Sequence, residues 1–282
     1  MTARSNMNSF EDLTNENKPS LGKNYLSHTI FSDLEYYSGD FNSLAMSVFL
    51  FHTLGTKAIF SIDYYIYSSI RETLNSIQQI LQKGRINDAY YLLRKYHDAA
   101  TINIYTNLYL KEKSNLESFT VQKINNWLQG KECLPEFREM AKYIETSSQL
   151  KPITKALLTG EDMKHYRSIR KRCNDQAHYN FFKAMMLNDG ELHLNDRLKY
   201  ISTFSDDLRD ILILHLSCIF FLNDHYMMSS DYMDCLECGS EPEPDSQYWV
   251  SPVVQKIFDD VITKYRPDIT TIIKQNSRMQ LV

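Results

Sequence analysis

From Phe60 onward the apolar positions of this chain fall into helical step. Ile62, Ile66, Ile70, Leu74, Ile77 and Leu81 recur every three or four residues, which lines one face of a helix. Lys83, Gly84 and Arg85 interrupt the pattern, with a glycine where helices commonly end. A second stripe starts at once: Ile86, Tyr90, Leu93, His97, Ala100, Ile104 and Leu108. Two long helices joined by about three residues fold back antiparallel, so 60–112 is expected to form a helical hairpin.

The pattern elsewhere is also helical. A first helix is expected over about 41–54, after a polar N-terminal arm covering 1–30. Shorter helices are expected at 119–129, 134–147 and 150–158, punctuated by Gly130, Pro135, Pro152 and Gly160. Glu161 and Asp162 open a helix in keeping with its dipole, and that helix is expected to run to about Met186. Asn188, Asp189 and Gly190 signal a turn before a short extended piece at 191–194. Leu198, Ile201, Leu208, Leu212, His215, Ile219 and Leu222 mark another long helix over about 196–228. An acidic, proline-bearing loop is expected at 229–248, and 249–282 forms a helical extension with helices over about 251–264 and 267–276. The expectation is an all-α protein with its main domain at 31–228.

Composition agrees. Only 8 glycines and 7 prolines occur in 282 residues, which argues against a β-sandwich and against Gly-rich phosphate loops. The longest apolar run, Ile211 to Leu222, contains His215 and is shorter than the roughly 20 residues a bilayer span needs. The polar N-terminus lacks the apolar segment of a secretory leader, and the five cysteines are odd in number; free thiols in a reducing cytoplasm are expected. The net charge of -4 gives no overall field for a long nucleic acid, so binding one requires a local cationic patch. Lys164, His165, Arg167, Arg170, Lys171 and Arg172 supply such a patch.

That patch leads into Arg170, Lys171, Arg172, Cys173, Asn174, Asp175, Gln176, Ala177, His178, Tyr179 and Asn180. On a helical wheel Ile169, Ala177, Asn180 and Ala184 cluster around Cys173 as the buried stripe, while His178 sits about 140° away and Lys171 about 160°. His178 therefore points off the core. Arg172 lies about 120° from His178, so a regular helix does not put the two on one face. They converge only if the helix is irregular or two subunits meet; Arg170 is the alternative cation.

Arginine, five residues, histidine resembles the R-x4-6-H signature of HEPN-domain ribonucleases, and the resemblance covers about 60–228 of this chain. The resemblance implies a helical bundle, a homodimer with a composite site, and metal-independent RNA cleavage in a toxin or antiviral role, with no cofactor and with RNA and an antitoxin or other regulatory protein as partners. It assigns His178 to acid–base transfer, Arg172 to the phosphate, and Asn174 to assistance; Arg170, Lys171, Asp175 and Tyr179 would contact substrate. A histidine moves protons near neutral pH and a guanidinium holds two phosphate oxygens, so the chemistry is coherent. The residue after the arginine is Cys173 rather than the frequent polar residue, and Tyr179 follows the histidine by one position where nucleotidyltransferase-paired toxins place a tyrosine at two. The alternative is a non-catalytic helical module binding nucleic acid, nucleotide or a protein.

Other features read more simply. Arg209 to His215 repeats the spacing, but in acidic and apolar surroundings. His97 and His215 lie on apolar stripes and are expected in the core. The 19 tyrosines and 14 phenylalanines fit packing better than base stacking. Cys235 and Cys238 form a lone C-x-x-C without the second pair that a zinc site needs.

Overall fold

A computed structural model describes residues 17–18, 20–48, 57–113, 121–240, 242–244, 246 and 249–281. The protein is all-α. Its helices are α1 (Lys23–Leu26), α2 (Ile30–Ser47), α3 (Lys57–Gln82), α4 (Ile86–Lys113), α5 (Gln122–Leu128), α6 (Phe137–Thr146), α7 (Lys151–Leu157), α8 (Gly160–Ala177), α9 (Phe182–Met186), α10 (Arg197–Leu222), α11 (Ser230–Glu237), α12 (Pro252–Ile257), α13 (Thr263–Tyr265) and α14 (Pro267–Asn276). The strand pairing described is β1 (Asn17–Lys18), antiparallel to β2 (His193–Leu194), with Asn17 opposite Leu194. Among the described residues no helix is long and apolar enough to cross a membrane.

The expected hairpin is α3 and α4. All seven positions of the α4 stripe, from Ile86 to Leu108, are buried. Gly84 makes the reversal with φ +74°, where a side chain would collide with Leu21. Arg197, only 2% exposed, holds this end of the hairpin: it donates to the carbonyls of Gly84, Met186, Leu187 and Asp189. α4 is the central helix, packed against α3, α6, α8 and α10, so its apolar residues face several directions. Burying each large aliphatic side chain contributes about 1.5–3 kcal/mol.

The ends of the chain differ from expectation. The stripe Ile30, Leu34, Tyr37, Phe41 and Leu44 is buried and forms α2, so the first helix starts at Ile30 rather than near 41; residues 49–56 lie outside the described ones. Within the expected arm Tyr25 anchors the chain, 2% exposed and with its hydroxyl donating to the Leu81 carbonyl at 2.9 Å. Part of the expected acidic loop is α11, begun by Ser229, whose Oγ accepts from the Tyr232 amide. The C-terminal helices share the main core through Phe258, Ile262, Ile269 and Ile273. Between α12 and α13, Phe258–Ile262 form a π-helical segment.

A buried polar network crosses the bundle. The Asp63 carboxylate accepts from Asn103 (2.7 Å), Asn107 (2.9 Å) and Tyr226 (2.6 Å), and His215 Nε2 meets Asn103 Oδ1 at 2.8 Å. Burial, opposed by these hydrogen bonds, raises the Asp63 carboxyl above the usual carboxylate range. His215 is fully buried and stacks on Phe41, and burial pushes it down to about 3. His97 is also buried, its ring edge against Phe137, and is pushed down to about 3 for the same reason. Both are core histidines, as their stripes predicted.

Candidate nucleic-acid interface

α8 buries Tyr166, Ile169 and Cys173, spaced three and four residues apart as one stripe. Burial pushes the Cys173 thiol up to about 12, which makes it an inert packing group. The stripe ends there, and the expected continuation to Met186 does not occur: the helix stops at Ala177, and His178 is its C-cap. The Tyr179 amide donates to the Gln176 carbonyl at 3.3 Å and the Asn180 amide to the Asp175 carbonyl at 3.0 Å. This pair of bonds is a Schellman turn, which requires left-handed backbone at the residue after the cap. That residue is usually glycine; here it is Tyr179, with φ +50°, the one positive-φ non-glycine among the described residues. Holding a tyrosine there costs about 1–2 kcal/mol. Asn180 Nδ2 donates to Asp175 Oδ1 at 2.7 Å and clamps the turn from outside.

The two named motif residues have different surroundings. The Arg172 guanidinium grips Asp207 of α10 with two hydrogen bonds, one at 2.8 Å from Nε, and donates to Ser168 Oγ at 3.0 Å. Asp207 is 1% exposed and also accepts from the Tyr90 hydroxyl at 3.2 Å, so one buried carboxylate ties α4, α8 and α10 together. Donating these hydrogen bonds to Asp207 raises the Arg172 pKa further. Arg170 is likewise engaged: it pairs with Asp98 at 2.6 Å and stacks 3.9 Å over the Phe137 ring. Asn174 Oδ1 is buried and has no hydrogen-bond partner among the described residues. Asp175 serves the turn.

His178 is not engaged as the two arginines are. It is exposed, and no hydrogen bond or ion pair engages its ring among the described residues. Arg167 and Lys171 are also exposed. At steps of four, three and four residues, Arg167, Lys171, Asn174 and His178 lie within about 60° of one another on the helix. They form a polar stripe opposite the buried one. At its end the chain exposes Tyr179 (41%), Phe181 (62%), Phe182 (56%) and Met185 (50%). This apolar edge was hidden from sequence reasoning by the assumption of an unbroken helix; the adjacent Phe181 and Phe182, out of step with the stripe through Cys173, were the available signal.

The second arginine–histidine match is closed. Arg209 pairs with Asp206 (2.8 Å) and Asp210 (3.2 Å), and His215 lies in the core network. Cys235 and Cys238 are free thiols, and among the described residues no group of three His, Cys, Asp or Glu side chains is arranged to hold a metal. No protein-family model, curated protein or solved structure matches this chain.

Proposed function

We propose that this protein is a HEPN-like helical module that binds single-stranded RNA along the outer face and C-terminal edge of α8. The observation that carries this reading is the continuity of two features. A polar stripe with the cations Arg167 and Lys171, ending at His178, runs directly into an exposed aromatic edge of Tyr179, Phe181 and Phe182. Cations spaced one helical turn apart, about 6 Å, follow a phosphate backbone. Exposed rings stack bases at about 1–3 kcal/mol each without demanding a sequence. The net charge of -4 restricts this attraction to a short strand at the patch.

Arg172 and Arg170 support the module over a one-chain catalytic site, because each guanidinium already faces a carboxylate. Ribonuclease activity is the second reading, favoured by one observation: His178 is exposed on the same face as Lys171. In that reading His178 moves the proton and Lys171 meets the phosphate, within a homodimer that joins two such edges.

Purified protein with a short labelled single-stranded RNA in excess chelator separates the two. Binding by fluorescence anisotropy with the RNA intact on a denaturing gel is the expected result. Cleavage lost in His178→Ala would establish the nuclease, and absence of both binding and cleavage would refute the RNA reading.

A further inference from the structure

A second site lies away from α8. Helices α2 and α10 and the π-helical segment enclose a cavity of about 500 Å3. Four carboxylates line it, Asp33, Asp206, Asp259 and Asp260, against two cations, Arg209 and Lys264. Arg209 is already committed: it pairs with Asp206 and Asp210 and stacks 4.1 Å over the Tyr265 ring. Lys264 lies 5.4 Å over the same ring. The remaining carboxylates outnumber the remaining positive charge.

An acidic cluster alone would be an ordinary solvated surface. Two side chains more than nine-tenths buried, each with oxygens that no protein group engages among the described residues and that open to a cavity, make this a built site. Tyr37 is 6% exposed and lines the cavity, yet its hydroxyl has no hydrogen-bond partner among the described residues. Tyr36 lines both this cavity and a second one of about 460 Å3, which reaches Asp40. Asp40 is 4% exposed, and no hydrogen bond or ion pair satisfies its carboxylate among the described residues. Polar groups on side chains this buried are normally hydrogen-bonded, so a carboxylate and a phenol left open at the walls of two cavities that share Tyr36 mark places for a ligand's donors.

The geometry points to a linear aliphatic polyamine as the ligand, lying along Tyr36 with its ammonium groups at Asp33 and Asp260 on one side and at Asp40 on the other. Ammonium groups donate to carboxylates and to the phenol oxygen, and they are attracted to tyrosine faces. The methylenes between them pack on the same rings. Lys256, 4.9 Å over the Tyr36 ring, already shows an alkylammonium using that surface. In the free protein burial pushes Asp40 up to about 7 against the opposing charge of Lys256, and raises Asp33 above its usual range against a hydrogen bond from Thr29 and the charges of Lys264 and Arg209; an ammonium ligand adds counter-charge to both. Among the described residues no three carboxylates converge as metal ligands, which matches a spread-out cation rather than a point ion.

Equilibrium dialysis of the full chain with labelled spermidine at physiological salt tests this. The expected result is saturable one-site binding. Asp260→Asn and Asp40→Asn should weaken it about tenfold each, the effect of losing one charge-assisted hydrogen bond. Tyr37→Phe should weaken it severalfold, while Asp231→Asn, an exposed acid outside the lining, should change nothing. Thermal melts confirm that the variants fold. Binding that does not saturate, that survives both Asp260→Asn and Tyr37→Phe, or that falls equally with Asp231→Asn would overturn the proposal. Full displacement by an equal concentration of trilysine peptide would also overturn it, by assigning the cavity to a basic protein segment.

Discussion

The spacing of an arginine, five residues and a histidine occurs twice in this chain, and the two copies have opposite fates. His178 caps α8 with its ring in solvent, whereas His215 sits in the middle of α10, fully buried, stacked on Phe41 and bonded to Asn103. Both arginines are bound by aspartates of α10: Arg172 by Asp207, Arg209 by Asp206 and Asp210. The comparison teaches that spacing along a helix does not define a site. What packs against each residue does, and here only the copy at a helix end leaves its histidine accessible.

The largest expected effect is on the buried copy. His215→Ala should cost about 3–5 kcal/mol in urea denaturation, through the cavity it leaves and the loss of the Asn103 partner. His178→Ala should stay within about 0.5 kcal/mol of wild type, as exposed positions do. Equal losses at the two would break the comparison.

Next in size is Asp207→Ala. It strands the Arg172 guanidinium and the Tyr90 hydroxyl, but Arg172 is about one-third exposed. The loss should therefore fall below the ~3–5 kcal/mol of fully buried pairs, at about 2–3 kcal/mol. If stability were unchanged while RNA affinity collapsed, Arg172 would belong to the binding face instead.

pH separates the copies further. His215 and His97 have folded values near 3, below the unfolded value of about 6.5. Their contribution is therefore complete above about pH 6.5 and is lost as pH falls toward 3, at about 1.4 kcal/mol per pH unit for each ring. Asp40, raised to about 7, acts with the opposite sign between about 4 and 7, so the wild-type curve mixes the two. The difference between wild type and His215→Gln isolates one ring, and it should shrink as pH drops from 6.5 to 4.5. A constant difference would mean that His215 is not held neutral.

The smallest effect concerns the turn. Tyr179→Gly should stabilise the protein by about 1 kcal/mol by relieving the left-handed tyrosine, while weakening RNA binding through the lost ring. A variant that is less stable would deny that the turn is strained.

Much of the fold was legible because α3, α4 and α10 carry long stripes in helical step, which local sequence displays directly. The same periodicity was present in Ile30, Leu34, Tyr37, Phe41 and Leu44 but lay beside a polar arm, and the helix it forms was placed too late. The end of α8 was hidden because its Schellman turn uses Tyr179 where a glycine would have announced the stop. At the site, the solvent-facing position of His178 followed from the wheel. The pairing of Arg172 with Asp207 and of Arg170 with Asp98 did not, because those partners are 35 and 72 residues away and only tertiary packing brings them together.

In the proposed reading, α8 ends in a binding edge for single-stranded RNA. Its most direct test is an anisotropy titration of a short oligonucleotide with wild type and with Phe181→Ser/Phe182→Ser, each checked by thermal melt. Affinity should be at least tenfold weaker in the double variant, with the melting temperature unchanged. Equal affinity in the two proteins would contradict it.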